Sequence, residues 1–479
     1  MSRPLRRVGN LGGTLRRTSE PKTITMVFFY SKLVFLRMSN EKMESIISLA
    51  KRRGFVFPGS EIYGGLANAW DFGPLGAQMK KNIKDFWWKT FVESRSDMVG
   101  LDGAILMNPK VWEASGHVET FNDPLVQCVK CNMRFRADHV QTFDKNSEWN
   151  CEHCGTLNKE FKPRQFNLMF KTFVGPSEES ANTVYLRPET AQAIFTNFKN
   201  VAGTTRKRLP FGIAQIGKAF RNEITPGNFI FRTLEFEQME IEYFVEESGW
   251  KEQFETWLKS MEKFAEAIGI DLKFIHILEI AAEDRAHYSK RTVDVEFEFP
   301  FGKKELWGLA YRGDYDLKQH ETYSKQSLEY TDPDDNKRKI LPHVIEPSFG
   351  VERTLLAVLI SAYEEETVKE GDTRVVLHLK PAIAPYHVAV LPLMKKDGLS
   401  EFAREIHTEL LKNFRSDYDE SGSVGKRYRR HDEIGTPYCV TVDYESKDDN
   451  CVTVRDRDTM AQERIKIVEL REYFSSKMI

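Results

Sequence analysis

The sequence predicts an α+β protein in which a large first domain precedes a smaller α/β domain. Two segments, 212–223 and 231–245, alternate between apolar and polar residues. Pro226–Gly227 lies between them and suits a type II turn, so the pair predicts an antiparallel hairpin. Apolar residues then recur at helical spacing over 250–265. After residue 379, strand-like and helix-like segments alternate, which is typical of a mainly parallel sheet.

The composition is that of an ordinary globular protein. Its 479 residues suffice for about two to four domains, and 41% of them are apolar and 29% charged. The formal net charge of -2 gives no overall attraction to nucleic acid, so any RNA contact has to come from a local patch. The longest apolar run, Ile24–Leu36, is interrupted by Lys32 and is shorter than the about 20 residues of a membrane span. We therefore expect no membrane partner.

Residues 1–40 form an N-terminal extension with a composition of its own. They carry eight Lys or Arg residues and one acid, Glu20. One interpretation is a transit peptide, which is rich in arginine and poor in acids and would target an organelle. The other is a disordered tail, or translated sequence upstream of a start at Met38 or Met43. We favour the second because the folded pattern begins at Met43, and it leaves the protein in the cytoplasm.

The first domain is predicted to span 41–378 and to open with an amphipathic helix at Met43. Gly54–Gly76 is dense in glycine, proline and aromatic residues and predicts a structured loop. A long helix follows and ends near Glu93. After the insertion that contains the paired cysteines, strand-like and loop segments run to Phe195.

The second strand of the hairpin has two different faces, because successive side chains of a strand point to opposite sides. One face is apolar and belongs in the core; it consists of Met239, Ile241, Tyr243 and Val245. The other face presents an aromatic ring and polar groups: Arg232, Phe236, Gln238, Glu240 and Glu242. A charged face on a strand with an apolar back predicts a binding surface.

Similar alternation marks a strand further along the chain and the second domain. Four apolar residues over 293–299 alternate with three acids, Asp294, Glu296 and Glu298. We assign these acids to a solvated face, and a metal site is the alternative. The second domain, 379–479, begins near Leu379–Pro385. Its predicted elements are strands at 387–393, 438–444 and 451–458, a helix over 399–414, and a final helix after Ala461.

Four of the six cysteines form two CxxC pairs, Cys128 with Cys131 and Cys151 with Cys154. Four thiolates at this spacing suit a tetrahedral structural zinc ion, which would fold an insertion at 127–158 that is too short for its own core. A catalytic zinc is not expected, because four thiolates leave no open position. The alternative is four unrelated cysteines. We interpret Cys439 and Cys451 as small core residues.

Two arginines stand where they could hold phosphate. Arg221 and Glu223 are two residues apart and therefore share one strand face in the prediction, and the Arg221 fork could bind a phosphate. Arg353 falls in the first turn of an apolar helix that begins just after Gly350, and helix N-termini favour anions. An ordinary surface salt bridge is the alternative for the first pair.

Longer phrases give a family resemblance. FRNE with FRTLEFEQME is similar to motif 2 of the class II aminoacyl-tRNA synthetases, EPSFGVERT to motif 3, and GLDGAILMNPKVWEASGH to the motif 1 region. FPGSEIYGGLANAWDFGPLG, RQFNLMFKT and LRPETAQAIF resemble phrases of the glycyl type. From about residue 43 to 479 the chain thus resembles homodimeric class II glycyl-tRNA synthetases.

The resemblance implies an architecture. It implies a class II antiparallel sheet of six or seven strands flanked by helices, a zinc-ribbon-like insertion, and a C-terminal α/β domain that binds the anticodon of tRNA(Gly). It also implies a homodimer, because the motif 1 region makes the dimer contact in this class. The basic run Lys426–His431 is compatible with RNA contact, and a solvated face is the alternative.

The resemblance further implies that ATP drives the attachment of glycine to tRNA(Gly) through glycyl-adenylate, with release of AMP and diphosphate. Arg221 would hold the α-phosphate, Arg353 the γ-phosphate, and Glu223 and Phe236 the adenine, with Mg2+ close to Glu305. These three charged residues, Arg221, Glu223 and Arg353, are the catalytic candidates. The full ATP set is Arg221, Asn222, Glu223, Phe231, Arg232, Thr233, Leu234, Glu235, Phe236, Glu305, Leu306, Gly350, Val351, Glu352 and Arg353.

For glycine, the resemblance implies an ammonium cage of Glu189, Glu240 and Glu346, with Arg312 on the carboxylate and Ser348 in the wall. Three acids without a cation raise one another's pKa, and the substrate ammonium would relieve this. The full glycine set is Arg136, Glu189, Phe236, Glu237, Gln238, Met239, Glu240, Arg312, Glu346, Pro347 and Ser348.

One residue departs from the family pattern, and two rival functions remain. Leu234 stands where many relatives have arginine, which puts one auxiliary ATP or tRNA contact in doubt. A catalytically inactive, synthetase-like regulator usually loses the motif 2 or motif 3 arginine, but both are present here. A class II synthetase for proline, threonine or histidine is the other alternative.

Overall fold

A computed structural model describes residues 41–137, 140, 142–143, 148–178, 182–224, 227–335 and 337–478. The basic extension of residues 1–40 and Pro226 of the predicted turn lie outside this part of the chain.

Twelve helices are named here in chain order: α1 (41–53), α2 (Pro74–Trp88), α3 (Pro109–Ala114), α4 (His117–Thr120), α5 (Ala191–Thr205), α6 (Trp250–Ala267), α7 (Tyr315–Ser324), α8 (Val351–Ala362), α9 (Leu399–Leu411), α10 (Val424–Glu433), α11 (Ser446–Asp449) and α12 (Leu470–Lys477). A π-helical turn, Lys89–Glu93, extends α2 to the residue at which the sequence predicts its end.

The strands up to residue 377 are β1 (Val56–Pro58), β2 (Trp70–Phe72), β3 (Met98–Gly100), β4 (Asn122–Gln127), β5 (Arg134–Arg136), β6 (Thr142–Phe143), β7 (Glu148–Asn150), β8 (Leu157–Asn158), β9 (Arg164–Asn167), β10 (Lys171–Phe173), β11 (Thr183–Tyr185), β12 (Phe211–Phe220), β13 (Glu235–Val245), β14 (Ile275–Glu279), β15 (Arg291–Phe299), β16 (Gly302–Gly313), β17 (Tyr330–Thr331), β18 (Lys339–Ile340), β19 (His343–Gly350), β20 (Tyr363–Lys369) and β21 (Asp372–Leu377). The later strands are β22 (Val388–Pro392), β23 (Ser416–Tyr418), β24 (Tyr438–Val442), β25 (Cys451–Asp456) and β26 (Gln462–Lys466).

A seven-stranded sheet forms the centre of the molecule, in the order β14-β15-β16-β19-β13-β12-β3. Its first six strands pair antiparallel, and the edge strand β3 runs parallel to β12. This confirms the predicted α+β class and its large antiparallel sheet. The hairpin is present as β12 and β13, which pair from Phe211 opposite Phe244 to Phe220 opposite Glu235.

Both hairpin strands are shorter than predicted. The first ends at Phe220, so Arg221 and Glu223 do not share a strand face. The reason is that the backbone turns away: the Asn222 N–H donates to the Leu168 carbonyl at 2.7 Å instead of to the neighbouring strand. The second strand begins at Glu235, so Arg232 lies before it in the connecting link.

The apolar face of β13 packs into the main core as predicted. Met239 and Ile241 are fully buried there, with Trp257 of α6 and Leu355 of α8 in the same cluster. Helices α6 and α8 cover this side of the sheet. The polar face of β13 therefore remains available to contact a ligand. Helix α8 begins immediately after β19, which places Arg353 in its first turn, as expected.

Two further expectations need correction, and one strand before the predicted final helix was missed. The segment before Phe195 is not all strand and loop, because α5 begins at Ala191 and buries Ile194 and Phe195 on one face. The loop after Gly54 contains the small antiparallel pair β1–β2. The chain after Ala461 first forms β26 and only then the final helix.

The C-terminal sheet has the order β23-β22-β24-β25-β26. Its first two pairings are parallel and its last two antiparallel, so it is mixed and the predicted mainly parallel sheet is wrong. The antiparallel half arises because short connections lead from β24 to β25 and from β25 to β26, whereas parallel strands need longer crossovers. None of the helices in the described ranges is long and apolar enough to cross a membrane.

Candidate active site

A cavity of about 360 Å³ opens on the face of the central sheet opposite the main core. Strands β13, β16 and β19 form its floor, and the link between β12 and β13 forms part of its rim. Cavities of this size hold small ligands. The sequence-predicted residues that line it are Glu189, Arg221, Glu223, Phe231, Arg232, Thr233, Phe236, Gln238, Glu240, Glu305, Leu306, Glu346, Ser348, Gly350, Glu352 and Arg353.

Other candidates do not line the cavity: Asn222, Leu234, Glu235 and Val351 of the ATP set, and Arg136, Glu237, Met239, Arg312 and Pro347 of the glycine set. Met239 and Val351 are core residues without exposure.

The carboxylate of Glu237 faces the opposite side of the sheet, where Lys80 and Lys84 each approach it within 2.6 Å. Although burial opposes ionisation, these lysines lower the pKa of Glu237 to about 2. Arg136 lies in the insertion and binds Asp123 at 2.8 Å.

Glu240 stands at the centre of the acidic end of the cavity. It lies opposite Ser348 in the pairing of β13 with β19, and the Ser348 hydroxyl donates to its Oε1 at 2.9 Å. Gln238 donates to the same oxygen at 2.7 Å, and the backbone N–H of Thr190 donates to Oε2 at 2.9 Å. These donors fix the carboxylate. Burial and the neighbouring Glu189 raise the pKa of Glu240.

Glu189 is held beside it by residues from two other elements. His117 Nε2 lies 3.2 Å from Glu189 Oε2, and Gln192 Nε2 donates to Oε1 at 3.0 Å. The other ring nitrogen of His117 is 2.8 Å from the Ser115 hydroxyl, which fixes the orientation of the imidazole. Burial opposes ionisation of Glu189, but His117 and Arg312 outweigh it and lower its pKa. Glu189 therefore carries a negative charge into the cavity.

Arg312 supports the third acid from behind. It is fully buried, and its Nη1 donates to Glu346 Oε1 at 2.7 Å. Nε and Nη2 donate to the two carboxylate oxygens of Asp316 at 2.7 and 2.8 Å. The guanidinium fork is thus occupied by protein groups. Burial, together with the charges of Glu240 and Glu189, raises the pKa of Glu346 to about 8 even though Arg312 counteracts it.

Glu242 is a further acid on the same face of β13. It is fully buried, and neither of its carboxylate oxygens has a hydrogen-bond partner among the described residues. Burial and the charge of Glu346 raise its pKa well above the ordinary value, so this carboxyl stays neutral.

Arginines occupy the other end of the cavity. Arg221 donates from Nε to the Pro188 carbonyl at 3.1 Å, and within the described chain its two terminal nitrogens make no hydrogen bond. Its guanidinium lies 5.3 Å from the centre of the Phe236 ring. Arg353 is bound to Glu305, with Nη1 2.9 Å from Oε2, and lies 4.5 Å from the Phe231 ring centre. The fork of Arg221 is therefore available for an anionic ligand.

Asp294 also lines the cavity, which corrects its assignment to a solvated face. The alternation on β15 is real, but the polar side of this strand faces the site instead of bulk water. Burial, with the charges of Glu305 and Glu296 nearby, raises the pKa of Asp294 to about 7, although Arg353 counteracts it. The two carboxyls differ, because Arg353, Arg221 and Arg232 outweigh burial and lower the pKa of Glu305, whereas Asp294 has no comparable cation partner among the described residues.

Sequence reasoning missed several residues that build the site. Thr190 and Gln192 lie one and three residues after Glu189 and hold the acids, and Asp316 lies four residues after Arg312, in the first turn of α7. Their closeness in sequence to predicted site residues could have indicated that they belong to the site. Tyr288, by contrast, lines the cavity from a segment that no motif marks.

The four paired cysteines lie together in the insertion. Cys128 Sγ is 3.7 Å from Cys154 Sγ, and Cys131 Sγ is 3.6 Å from Cys151 Sγ. All four ligand atoms lie within 4.8 Å of one another. A zinc ion at about 2.3 Å from each sulfur would place tetrahedral sulfurs about 3.8 Å apart, so the residues fit a structural zinc ion.

The cysteines of the second domain differ in burial. Cys439 is buried, as expected of a core residue, whereas Cys451 is only partly so because it starts β25 at the end of the sheet.

Comparison with known proteins identifies the family. Residues 170–362 match the model of the tRNA synthetase class II core domain (G, H, P, S and T), and residues 387–477 match that of the anticodon binding domain. The chain is 53% identical to the glycine–tRNA ligase of Alkaliphilus oremlandii over 92% of this chain and 100% of the relative. The chain belongs to the glycine–tRNA ligase family. It is also 54% identical to the glycine–tRNA ligase of Acetivibrio thermocellus, over 91% of this chain and 98% of that protein.

The anticodon-binding domain of this glycine–tRNA ligase family member contains the basic run, on α10. Arg427 is buried and donates to the Gly422 carbonyl at 2.9 Å, and Arg430 binds Asp419 at 2.9 Å. Arg429 reaches Asp372 at 3.1 Å. These arginines hold the fold together, and Lys426 is exposed. The run is therefore not a wholly solvated face, and its contact with RNA stays a prediction.

Proposed function

We propose that this chain attaches glycine to tRNA(Gly) in two steps through glycyl-adenylate, with release of AMP and diphosphate, for protein synthesis. One observation carries the proposal. A single cavity joins three carboxyls, Glu189, Glu240 and Glu346, to the open fork of Arg221. An amino acid presents an ammonium and a carboxylate, and ATP presents phosphates, so the two ends of the cavity complement the two reactants.

In the first step, the glycine ammonium binds among the three carboxyls, where it favours their ionised forms. The glycine carboxylate then lies toward Arg221 and attacks the α-phosphorus of ATP. As the new P–O bond forms and the bond to diphosphate breaks, Arg221 stabilises the negative charge on the phosphoryl oxygens through its free terminal N–H groups. Fixed geometry supplies most of the rate, because no side chain needs to act as a nucleophile.

The nucleotide would lie along the arginine end. Phe236 offers its ring to the adenine base, and Glu223 accepts from the base edge. Arg353 would bind the γ-phosphate after exchanging its contact with Glu305 for one with phosphate. Arg232, whose Nε lies 4.0 Å from Glu223, is a further phosphate ligand.

Mg2+ would be held by Glu305 and Asp294. Both carboxyls line the cavity, and the pKa of Asp294 is raised by its burial and by the charges of Glu305 and Glu296, so a cation bound between the carboxyls would favour the ionised form of Asp294. Oxygen ligands of this kind suit Mg2+, which neutralises phosphate charge when bound.

In the second step, the terminal ribose hydroxyl of tRNA attacks the glycyl carbonyl, and AMP leaves. The carboxyl cage keeps the glycine ammonium in place during this transfer. The C-terminal domain would bind the anticodon, with Lys426 as an exposed contact on α10. Structural zinc at the four cysteines would stabilise the fold of the insertion.

The assembly and location follow from the same family argument. From the family resemblance we infer a homodimer whose contact includes the motif 1 region, Gly100–His117. His117 also joins that region to Glu189 at the cavity. A cytoplasmic location agrees with four cysteines kept as thiolates for metal.

ATP–diphosphate exchange with single amino acids tests the proposal. We expect exchange with glycine alone. Exchange with proline, threonine or histidine would point to another class II specificity, and no exchange at all would point to an inactive regulator. Arg221→Ala should abolish exchange with glycine while the protein stays folded. Arg208→Ala is the matched control, because Arg208 pairs with Asp334 on the surface away from the cavity. Equal activity of both variants would remove the role of Arg221.

A further inference from the structure

The segment between β14 and β15 closes one side of the cavity. Its lining residues are Ile280, Asp284, Arg285, Ala286 and Tyr288. Arg285 braces the segment, because Nε donates to the Ile280 carbonyl at 2.9 Å and Nη1 donates to the Lys290 carbonyl at 2.6 Å. These two bonds tie the ends of the segment together, so it forms a fixed wall.

The Tyr288 ring is held still within this wall. Its centre lies 3.7 Å from the Arg312 guanidinium carbon, a stacked cation–π contact. Arg312 itself cannot shift, because Asp316 and Glu346 occupy its fork. On the chain before Tyr288, the His287 ring Nε2 lies 3.3 Å from the Ser115 carbonyl. The Tyr288 ring is therefore held by its stacking on Arg312, and the chain next to it is held by the contact between His287 and Ser115.

The ring also stands next to the acid end of the cavity. Arg312 connects it to Glu346, one of the three carboxyls proposed to hold the glycine ammonium. Burial raises the pKa of Tyr288, so it stays neutral. The hydroxyl makes no hydrogen bond within the described chain, although the residue borders the cavity. A rigid, neutral ring here limits the space around the substrate α-carbon without competing for the ammonium.

We propose that the Tyr288 ring is the wall that excludes amino acids with a side chain from the glycine pocket. This inference rests on the proposed function. Glycine is the smallest amino acid, so a site can reject every competitor by leaving no room for a Cβ atom. In a close-packed wall with a fixed ring, an added methyl group has to displace the ring and break its stacking on Arg312.

The test is ATP–diphosphate exchange with glycine and with alanine, using the full chain. Tyr288→Ala should raise the ratio of kcat/KM for alanine to that for glycine at least about tenfold, since one methylene of discrimination is worth about 10- to 200-fold. Tyr288→Phe keeps the ring and should keep the parent ratio. Tyr323→Ala removes an exposed tyrosine from α7 and should also leave the ratio unchanged. Thermal unfolding establishes that each variant is folded.

The outcomes are distinguishable. If the parent shows no exchange with glycine, the proposed function fails. If the parent is specific for glycine but Tyr288→Ala has no higher alanine-to-glycine ratio, the wall is refuted; this includes a folded variant that has lost exchange with both amino acids. An equal rise in Tyr288→Phe would assign the selection to the hydroxyl and would also overturn the inference.

Discussion

Replacing Arg312 separates a supporting role from direct contact with the substrate. The residue is fully buried, and it is bound by Asp316 and Glu346, which are 1% and 7% exposed. Arg312→Met has a similar length but leaves both acids without their cation. Removing one partner of a buried ion pair costs about 3–5 kcal/mol of the free energy of unfolding. The lost contact with the Tyr288 ring adds about 1 kcal/mol.

The protonation of Glu346 decides where in this range the loss falls. The pKa of Glu346 is already raised to about 8, so this carboxyl can take up a proton when Arg312 is lost. Asp316 is left as the main uncompensated group. We therefore expect a total loss of about 4 kcal/mol, measured by denaturant unfolding without ligands. Adding Asp316→Leu should recover part of it, because an apolar pair no longer buries a lone charge.

The control for Arg312→Met is Arg338→Met, since Arg338 also binds two carboxylates but on the surface. Its unfolding midpoint should stay that of the parent. The supporting role would be refuted if Arg312→Met were as stable as the parent yet raised the KM for glycine by two orders of magnitude. That result would instead show that Arg312 binds the glycine carboxylate, as the family resemblance implies.

Three further predictions concern metal, pH and glycine binding. Cys128→Ser should lose the zinc of the purified protein, as measured by metal analysis. Asp294 has a pKa of about 7 in the folded protein, so it binds its proton more tightly there than in the unfolded chain. Its contribution to the free energy of unfolding is therefore lost as the pH rises from about 4 to about 7. Asp294→Asn should remove this part of the pH dependence of unfolding. His117→Phe removes a bond to the charged Glu189 worth about 1.5–3 kcal/mol, and should raise the KM for glycine about tenfold or more with little change in the KM for ATP.

Each of these has a contradicting result. Zinc retained in Cys128→Ser, or absent from the parent, would reject the metal site, with Cys451→Ser as the control that should keep zinc. A parent whose stability does not fall over that pH range relative to Asp294→Asn would show that Asp294 ionises normally. Equal effects of His117→Phe on glycine and ATP would indicate a general disturbance of the cavity.

The sequence predicted the surfaces of the hairpin well because the side-chain period of a strand is fixed. Gln238 and Glu240, which alternate with Met239 and Ile241, do line the cavity, and the strand ends were misplaced. Those ends depend on a backbone bond from Asn222 to Leu168, a residue far away in the sequence. Local periodicity contains no information about such a partner.

The remaining errors have the same origin. Asp294 alternates like a solvated residue, but tertiary packing turns its strand face toward the site. The role of Arg312 on the glycine carboxylate stays a prediction, and its bond to Asp316 could not be anticipated because it forms only once helix α7 brings Asp316 near. Tyr288 carries no local signal, because its position depends on stacking against Arg312. Contacts between segments that are distant in the sequence, and not composition, determine where these side chains lie relative to the cavity.

The most direct test of the central claim is an experimental structure with a non-hydrolysable glycyl-adenylate analogue. We expect its ammonium to lie within hydrogen-bond distance of Glu189 and Glu346, and its phosphate-like group to contact the terminal nitrogens of Arg221. An analogue bound with its ammonium outside this carboxyl cage, or with Arg221 turned away, would contradict the account.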